Sequence, residues 1–184
     1  MLIKNKIMLT LNVIKNKYHS VGSFAIWSKI DPTKRPKYGV GDMGWLRTFK
    51  HKNINKNFVF VGLNISGKID IPFSNFHSSK STAHDYKIRY AVENSPFTGA
   101  YMTDIIKDHE EKISGNVMKY LNSNPDFVKM NISIFENEIK DIGLNNPIII
   151  AFGNNAYKIM KKYKLHEKYK IFKVSHYSSC IQKK

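Results

Sequence analysis

Phe58-Val59-Phe60-Val61-Gly62-Leu63 is a continuous apolar run, and Asn64-Ile65-Ser66-Gly67 follows it directly. A run without polar alternation marks a strand buried on both faces. Such strands belong to parallel sheets covered by helices. Working outward, Gly99 to Ile106, Pro147 to Phe152 and Tyr169 to Val174 read as three more strands. Between them, Ala83 to Asn94, Ser114 to about Asn122, Phe127 to Ile142, and Asn154 to about Tyr163 read as helices. In the third helix, Val128, Ile132, Phe135, Ile139 and Ile142 step by 4, 3, 4 and 3, which lines up one apolar face. Strands alternating with helices predict an α/β fold, a three-layer α/β/α arrangement around a four-stranded parallel sheet. A single domain over 1–184 is expected, with a basic N-terminal region at 1–57 and a core at 58–180.

Composition limits the function classes. The 184 residues carry 30 Lys+Arg against 14 Asp+Glu, a net charge of +16, and are 42% hydrophobic. That apolar content excludes a disordered chain. The single cysteine, Cys180, excludes a disulfide framework, a zinc ribbon and a four-cysteine iron–sulfur cluster, and suits a reducing, cytoplasmic compartment. No run reaches membrane-span length, so no membrane partner is expected. The apolar stretch Ile7 to Ile14 is broken by Asn12 and followed by Lys15 and Lys17, which argues against a signal peptide. The seven histidines show neither HxxxH nor HxH spacing, so no metal and no cofactor are implied.

The charge points to a polyanion, nucleic acid before anionic membrane. A lysine- and asparagine-rich composition is the alternative source of that charge. Asp31 to Lys52 is turn-rich and basic: Lys34, Arg35, Lys37, Arg47, Lys50 and Lys52 interleave with Tyr38, Trp45 and Phe49. That mix suits phosphates and stacked bases. The alternative is a solvated loop with two or three aromatics anchored in the core.

Ligands of doubly wound sheets bind at the carboxyl ends of the strands. Those ends carry Asn64-Ile65-Ser66-Gly67, Asp104, Gly153-Asn154, and His176-Tyr177-Ser178-Ser179. The glycines at 62 and 67 match neither G-x-G-x-x-G nor G-x-x-x-x-G-K-[ST]. Taken singly, Asn64 as a turn cap, Asp104 as a surface acid and His176 as a half-buried imidazole are the plainer readings. Three such residues at one sheet edge favour a joint site.

These residues resemble a family. Gly62-Leu63-Asn64-Ile65-Ser66 is similar to the Gly-x-Asn-Pro-Gly/Ser motif of the uracil-DNA glycosylase superfamily, in its mismatch-specific and single-strand-selective branches. Ser175-His176-Tyr177-Ser178-Ser179 resembles its His-Pro-Ser motif. Thr98 to Asp104 resembles the strand that ends in a base-reading asparagine, and Phe152-Gly153-Asn154-Asn155-Ala156 the Leu-Gly-x-x-Ala turn. The resemblance spans about residues 58–180. It implies a glycosylase that acts as a monomer on DNA, without a cofactor. Asn64 would hold a water below the sugar. His176 would donate to the pyrimidine O2 as negative charge develops there, a contribution of ~3 kcal/mol for such donors. Phe73 or Phe76 would stack on the flipped base. Ser66, Ser178 and Ser179 would bond the flanking phosphates.

The chain departs from the pattern at Ile65, Tyr177 and Asp104. Ile65 and Tyr177 replace prolines. Asp104 replaces the base-reading asparagine, which can both donate and accept. A carboxylate only accepts, so it suits an amino group such as cytosine N4 rather than uracil O4. Excising plain cytosine would destroy the host genome. A modified cytosine, as in bacteriophage DNA, avoids that damage and would make the enzyme an antiphage one. A protonated Asp104 would instead donate and accept uracil, and an Asp104 turned toward Asn64 would position water. Two other readings stay open: a catalytically silent DNA-binding relative, and an α/β nucleotide-binding enzyme of another kind.

Overall fold

The computed structural model describes residues 14–179. Cys180, and all of the Ile7–Ile14 stretch except Ile14, lie outside the described residues. The strands are β1 (Ser23–Phe24), β2 (Asn55–Asn64), β3 (Ala100–Ile106), β4 (Ile148–Phe152) and β5 (Ile171–Val174). The helices are α1 (Tyr86–Val92), α2 (Ser114–Ser123), α3 (Pro125–Asp141) and α4 (Gly153–Lys162).

One sheet runs in the order β1-β3-β2-β4-β5. The last four strands are mutually parallel, and β1 pairs antiparallel with β3 at the edge. The expected four-stranded sheet is therefore a five-stranded one. The added strand is two residues long, too short to show any periodicity. The predicted Ala83–Asn94 helix is shortened to Tyr86–Val92, because the carboxylate of Asp85 accepts from the Ser78 N–H at 2.7 Å and holds 78–85 as a loop.

β2 alternates between two cores, as a strand buried on both faces must. Val59, Val61 and Leu63 pack with Val117, Leu121, Val128, Ile132, Phe135, Ile139, Ala156 and Met160, so α2, α3 and α4 cover that face. Phe60 faces the other way with Ala100, Met102, Ile150 and Phe152, covered by Ile88 and Val92 of α1. The second layer is thin, a seven-residue helix completed by loops. Ile14, Tyr18, Phe24 and Ile54 lie in the same cluster as the sheet, which ties the N-terminal region to the core.

The end of β3 is fastened to α3 by buried polar groups. Lys107 Nζ lies 2.7 Å from Glu138 Oε2, and Thr103 Oγ1 donates to Glu138 Oε1 at 3.0 Å. The Lys107 N–H donates to Asn131 Oδ1 at 2.8 Å. These hydrogen bonds offset part of the desolvation of the buried ion pair. The result is a rigid backbone under Asp104. Among the described residues, no helix is long and apolar enough to cross a membrane.

Candidate functional site

Asp104 lies inside β3, directly opposite Gly62 of β2. It is a buried acid within the sheet rather than a surface acid past a strand end. A Cβ at Gly62 would collide with Asp104 Oδ1 and come within 3.2 Å of Phe76 Cζ. The glycine is thus the space in which the carboxyl sits. Asn75 Nδ2 donates to Asp104 Oδ2 at 2.8 Å and to the Val21 carbonyl at 3.0 Å. Burial pushes the Asp104 pKa up to about 6, opposed by the Asn75 hydrogen bond and by Lys107. A carboxyl at that value changes protonation state near physiological pH.

Aromatic rings surround it. Phe76 lies 6.0 Å from Phe152 and 6.2 Å from Tyr177, and Phe152 lies 5.3 Å from Tyr177, between ring centroids. Phe76 has φ 62°, a left-handed conformation that is unusual for a bulky side chain. Its loop is held in place by the next residue. His77 is buried, which keeps its ring neutral. Its Nε2 lies 3.0 Å from the Ile26 carbonyl, and its Nδ1 lies 2.9 Å from both the Ser23 hydroxyl and the Asn75 carbonyl. The N-terminal region thereby fixes the ring that flanks Asp104. Strain of this kind concentrates at functional sites, where surrounding contacts over-determine it.

His176 follows β5 and packs against the β4–α4 turn. Gly153 there has φ +85°, and a Cβ on it would lie 3.2 Å from His176 Cβ. The Ser178 backbone N–H points at His176 Nδ1 at 3.2 Å, and the Ser178 hydroxyl lies 2.7 Å from the same atom. A backbone N–H can only donate, so Nδ1 is the acceptor and the proton sits on Nε2. Burial, reinforced by His84, lowers the His176 pKa and favours that neutral ring. Tyr177 stacks on the imidazole at 4.4 Å. Its hydroxyl pKa is raised well above the usual value by burial, then by the charges of Asp85 and Asp104. Tyr177 thus stacks on His176 and lies within reach of the Asp104 charge. Asp85, itself raised by burial, and His84, whose Nδ1 is buried without a partner, complete the group.

Three other expectations fall differently. Asn64 Nδ2 donates to the carbonyls of Glu111, His109 and Ile65 at 2.8, 3.0 and 3.2 Å. Three carbonyls around one side of the amide settle its orientation. Among the described residues no hydrogen bond to Asn64 Oδ1 is present, so that atom remains to accept from water. Phe73 does not approach Asp104: it belongs to the opposite core cluster, 5.9 Å from Phe24. Ser66, Ser178 and Ser179 are exposed, and Ser178 bonds His176.

In the basic stretch, Trp45 and Phe49 pack on Phe24, whereas Tyr38 is 62% exposed. Sequence reasoning did not single out Gly62 as a contact, nor Asn75, His84, Asp85 or Tyr177 as members of the site. Only Tyr177 carried a signal, its place beside His176. No protein-family model, curated protein or solved structure matches the chain.

Proposed function

We propose that this chain is a DNA base N-glycosylase. It hydrolyses the bond between deoxyribose and a flipped pyrimidine, uracil or a modified cytosine, and leaves an abasic site. The observation that carries this reading is the pairing of Asp104, seated against Gly62 and Phe76, with a neutral His176 whose Nε2–H is available, across one aromatic cluster. The resemblance of the four strand-end segments to the uracil-DNA glycosylase superfamily agrees with it.

The chemistry follows from these groups. Breaking the bond builds positive charge on the sugar and negative charge on the departing base. A fixed donor at the base oxygen stabilises that charge without reorganising. His176 Nε2–H is that donor. The Asn64 amide, oriented by three carbonyls, presents Oδ1 to the water that attacks C1′. Phe76 stacks on the base, and Asp104 reads its exocyclic group. An ionised Asp104 accepts from an amine, and a protonated one donates to a carbonyl. With a pKa of about 6, the ionised form dominates at pH 7, which favours the cytosine-type base. The chain then removes a modified cytosine of the kind found in bacteriophage DNA.

A silent DNA-binding relative is the second reading, favoured by the use of the Asn64 amide as a loop tether. A nucleotide-binding enzyme fits less well, since Gly62 faces a carboxyl rather than an open phosphate cradle. Duplexes carrying uracil, cytosine or hypermodified cytosines, incubated with the protein and treated with alkali, decide between them. Strand scission at one of the modified bases or uracil supports the glycosylase. Intact strands for all of them leave the silent binder.

A further inference from the structure

A cleft of about 640 Å³ lies between the 34–39 loop and the 79–81 loop, lined by Lys34, Arg35, Lys37, Tyr38, Ser79 and Ser81. It is built rather than incidental. Arg89 of α1 is buried, and its guanidinium donates to the carbonyls of Tyr38 at 2.6 Å and of Ser28 and Lys29 at 2.8 Å. One buried cation thereby holds the backbone of the basic loop from below. Lys37 Nζ donates to the Ser81 carbonyl and lies 5.6 Å from the Tyr86 ring, which bridges the two walls. Asp31, which precedes the basic loop, is turned onto Thr33, accepting from its N–H at 2.9 Å and its hydroxyl at 2.7 Å. The cleft's lining is therefore cations, hydroxyls and one exposed ring, with Lys34 Nζ 5.9 Å from the Tyr38 ring.

We propose that this cleft binds a single-stranded segment of nucleic acid, with phosphates on Lys34, Arg35 and the two serines and a base on the ring of Tyr38. Cations alone would suit any polyanion. An exposed aromatic ring among them adds a surface for a base, and only an unpaired base offers its face. The 78–85 loop that forms one wall also carries His84 and Asp85 of the candidate site. Strand in the cleft would thus run toward His84 and Asp85 and the candidate site. The proposal rests on the glycosylase reading for that last step alone.

The test is fluorescence anisotropy with a labelled 12-nucleotide oligothymidine, which contains no excisable base. Lys34→Glu with Arg35→Glu is compared with Lys158→Glu with Lys161→Glu, an equal charge change on α4 at the opposite face. The first pair is expected to weaken binding at least ~10-fold and to flatten the log–log salt dependence by about 0.7 per lost phosphate contact. The second pair is expected to change affinity less than ~3-fold. Tyr38→Ala should weaken binding at least ~5-fold, and Tyr38→Trp should restore it. Equal losses from the two charge pairs, no effect of Tyr38→Ala, or equal competition by polyglutamate at matched charge would each overturn the proposal. Oligothymidine binding that is intact in a protein without excision activity removes the glycosylase reading and leaves the cleft. Excision with no cleft-dependent binding does the reverse.

Discussion

Gly62 and Asp104 share a space that only a glycine leaves open: the missing Cβ on β2 is where the carboxyl oxygen on β3 lies. Gly62→Ala is therefore expected to displace Asp104 and the Phe76 ring together. Overpacking of this kind costs ~1–3 kcal/mol, which lowers the melting temperature. Excision should fall by at least ~10-fold at a temperature where the variant is still folded. A variant that melts lower but cleaves at the wild-type rate would show that the carboxyl position is immaterial.

The protonation of Asp104 links stability to pH. Its pKa is about 6 in the fold against an ordinary 3.8. For a carboxyl raised in the folded state, the stabilising effect of the bound proton is fully present below 3.8 and is lost as pH rises through 6. Above that, the buried charge costs about 3 kcal/mol at ~1.4 kcal/mol per pH unit. Asp104→Asn keeps an acceptor for Asn75 and removes the charge. Its melting temperature should exceed that of the wild type at pH 8, with about half of the difference left at pH 5 and most of it gone by pH 4. A difference independent of pH would contradict the raised pKa.

Phe73 and Phe76 separate by role. Both are buried apolar rings with positive φ, but only Phe76 faces Asp104. Phe76→Leu should lower the excision rate ~10-fold or more, in line with ~1–3 kcal/mol of base stacking. Phe73→Leu should destabilise the fold while leaving the rate of the folded fraction within about 2-fold. Equal rate losses would place the base elsewhere.

His176→Ala should lower excision ~100-fold or more, since one such donor contributes ~3 kcal/mol to the transition state. DNA affinity, which the proposed reading assigns to the cationic loops, should change little. Rates measured under single-turnover conditions, with affinity measured separately, distinguish the two effects.

The core strands were legible because β4 is an unbroken apolar run, β2 carries one at Phe58–Leu63 and β3 is interrupted only by Thr103 and Asp104, and α3 because its apolar residues recur every three or four positions. β1 was not, since two residues carry no pattern. The choice between Phe73 and Phe76 depended on which side of the sheet a turn delivers each ring. The link between His84 and His176 was equally hidden, because their proximity depends on two loops 92 residues apart in number (176 − 84). Gly62 read as part of both the strand run and the Gly-x-Asn motif, but its contact with Asp104, 42 positions on (104 − 62), lies in the pairing of two strands and left no mark in the sequence.

The most direct measurement is release of the free base from matched duplexes carrying uracil or a modified cytosine, followed at pH 8 and pH 5 for the wild type and Asp104→Asn. The account predicts that the wild type at pH 8 prefers the modified cytosine. At pH 5, where Asp104 is protonated, that preference should narrow. Asp104→Asn should favour uracil at both pH values, because its amide donates to O4. A wild type that prefers uracil at both pH values, with a preference unchanged by the substitution, would contradict Asp104 as the reader of the base.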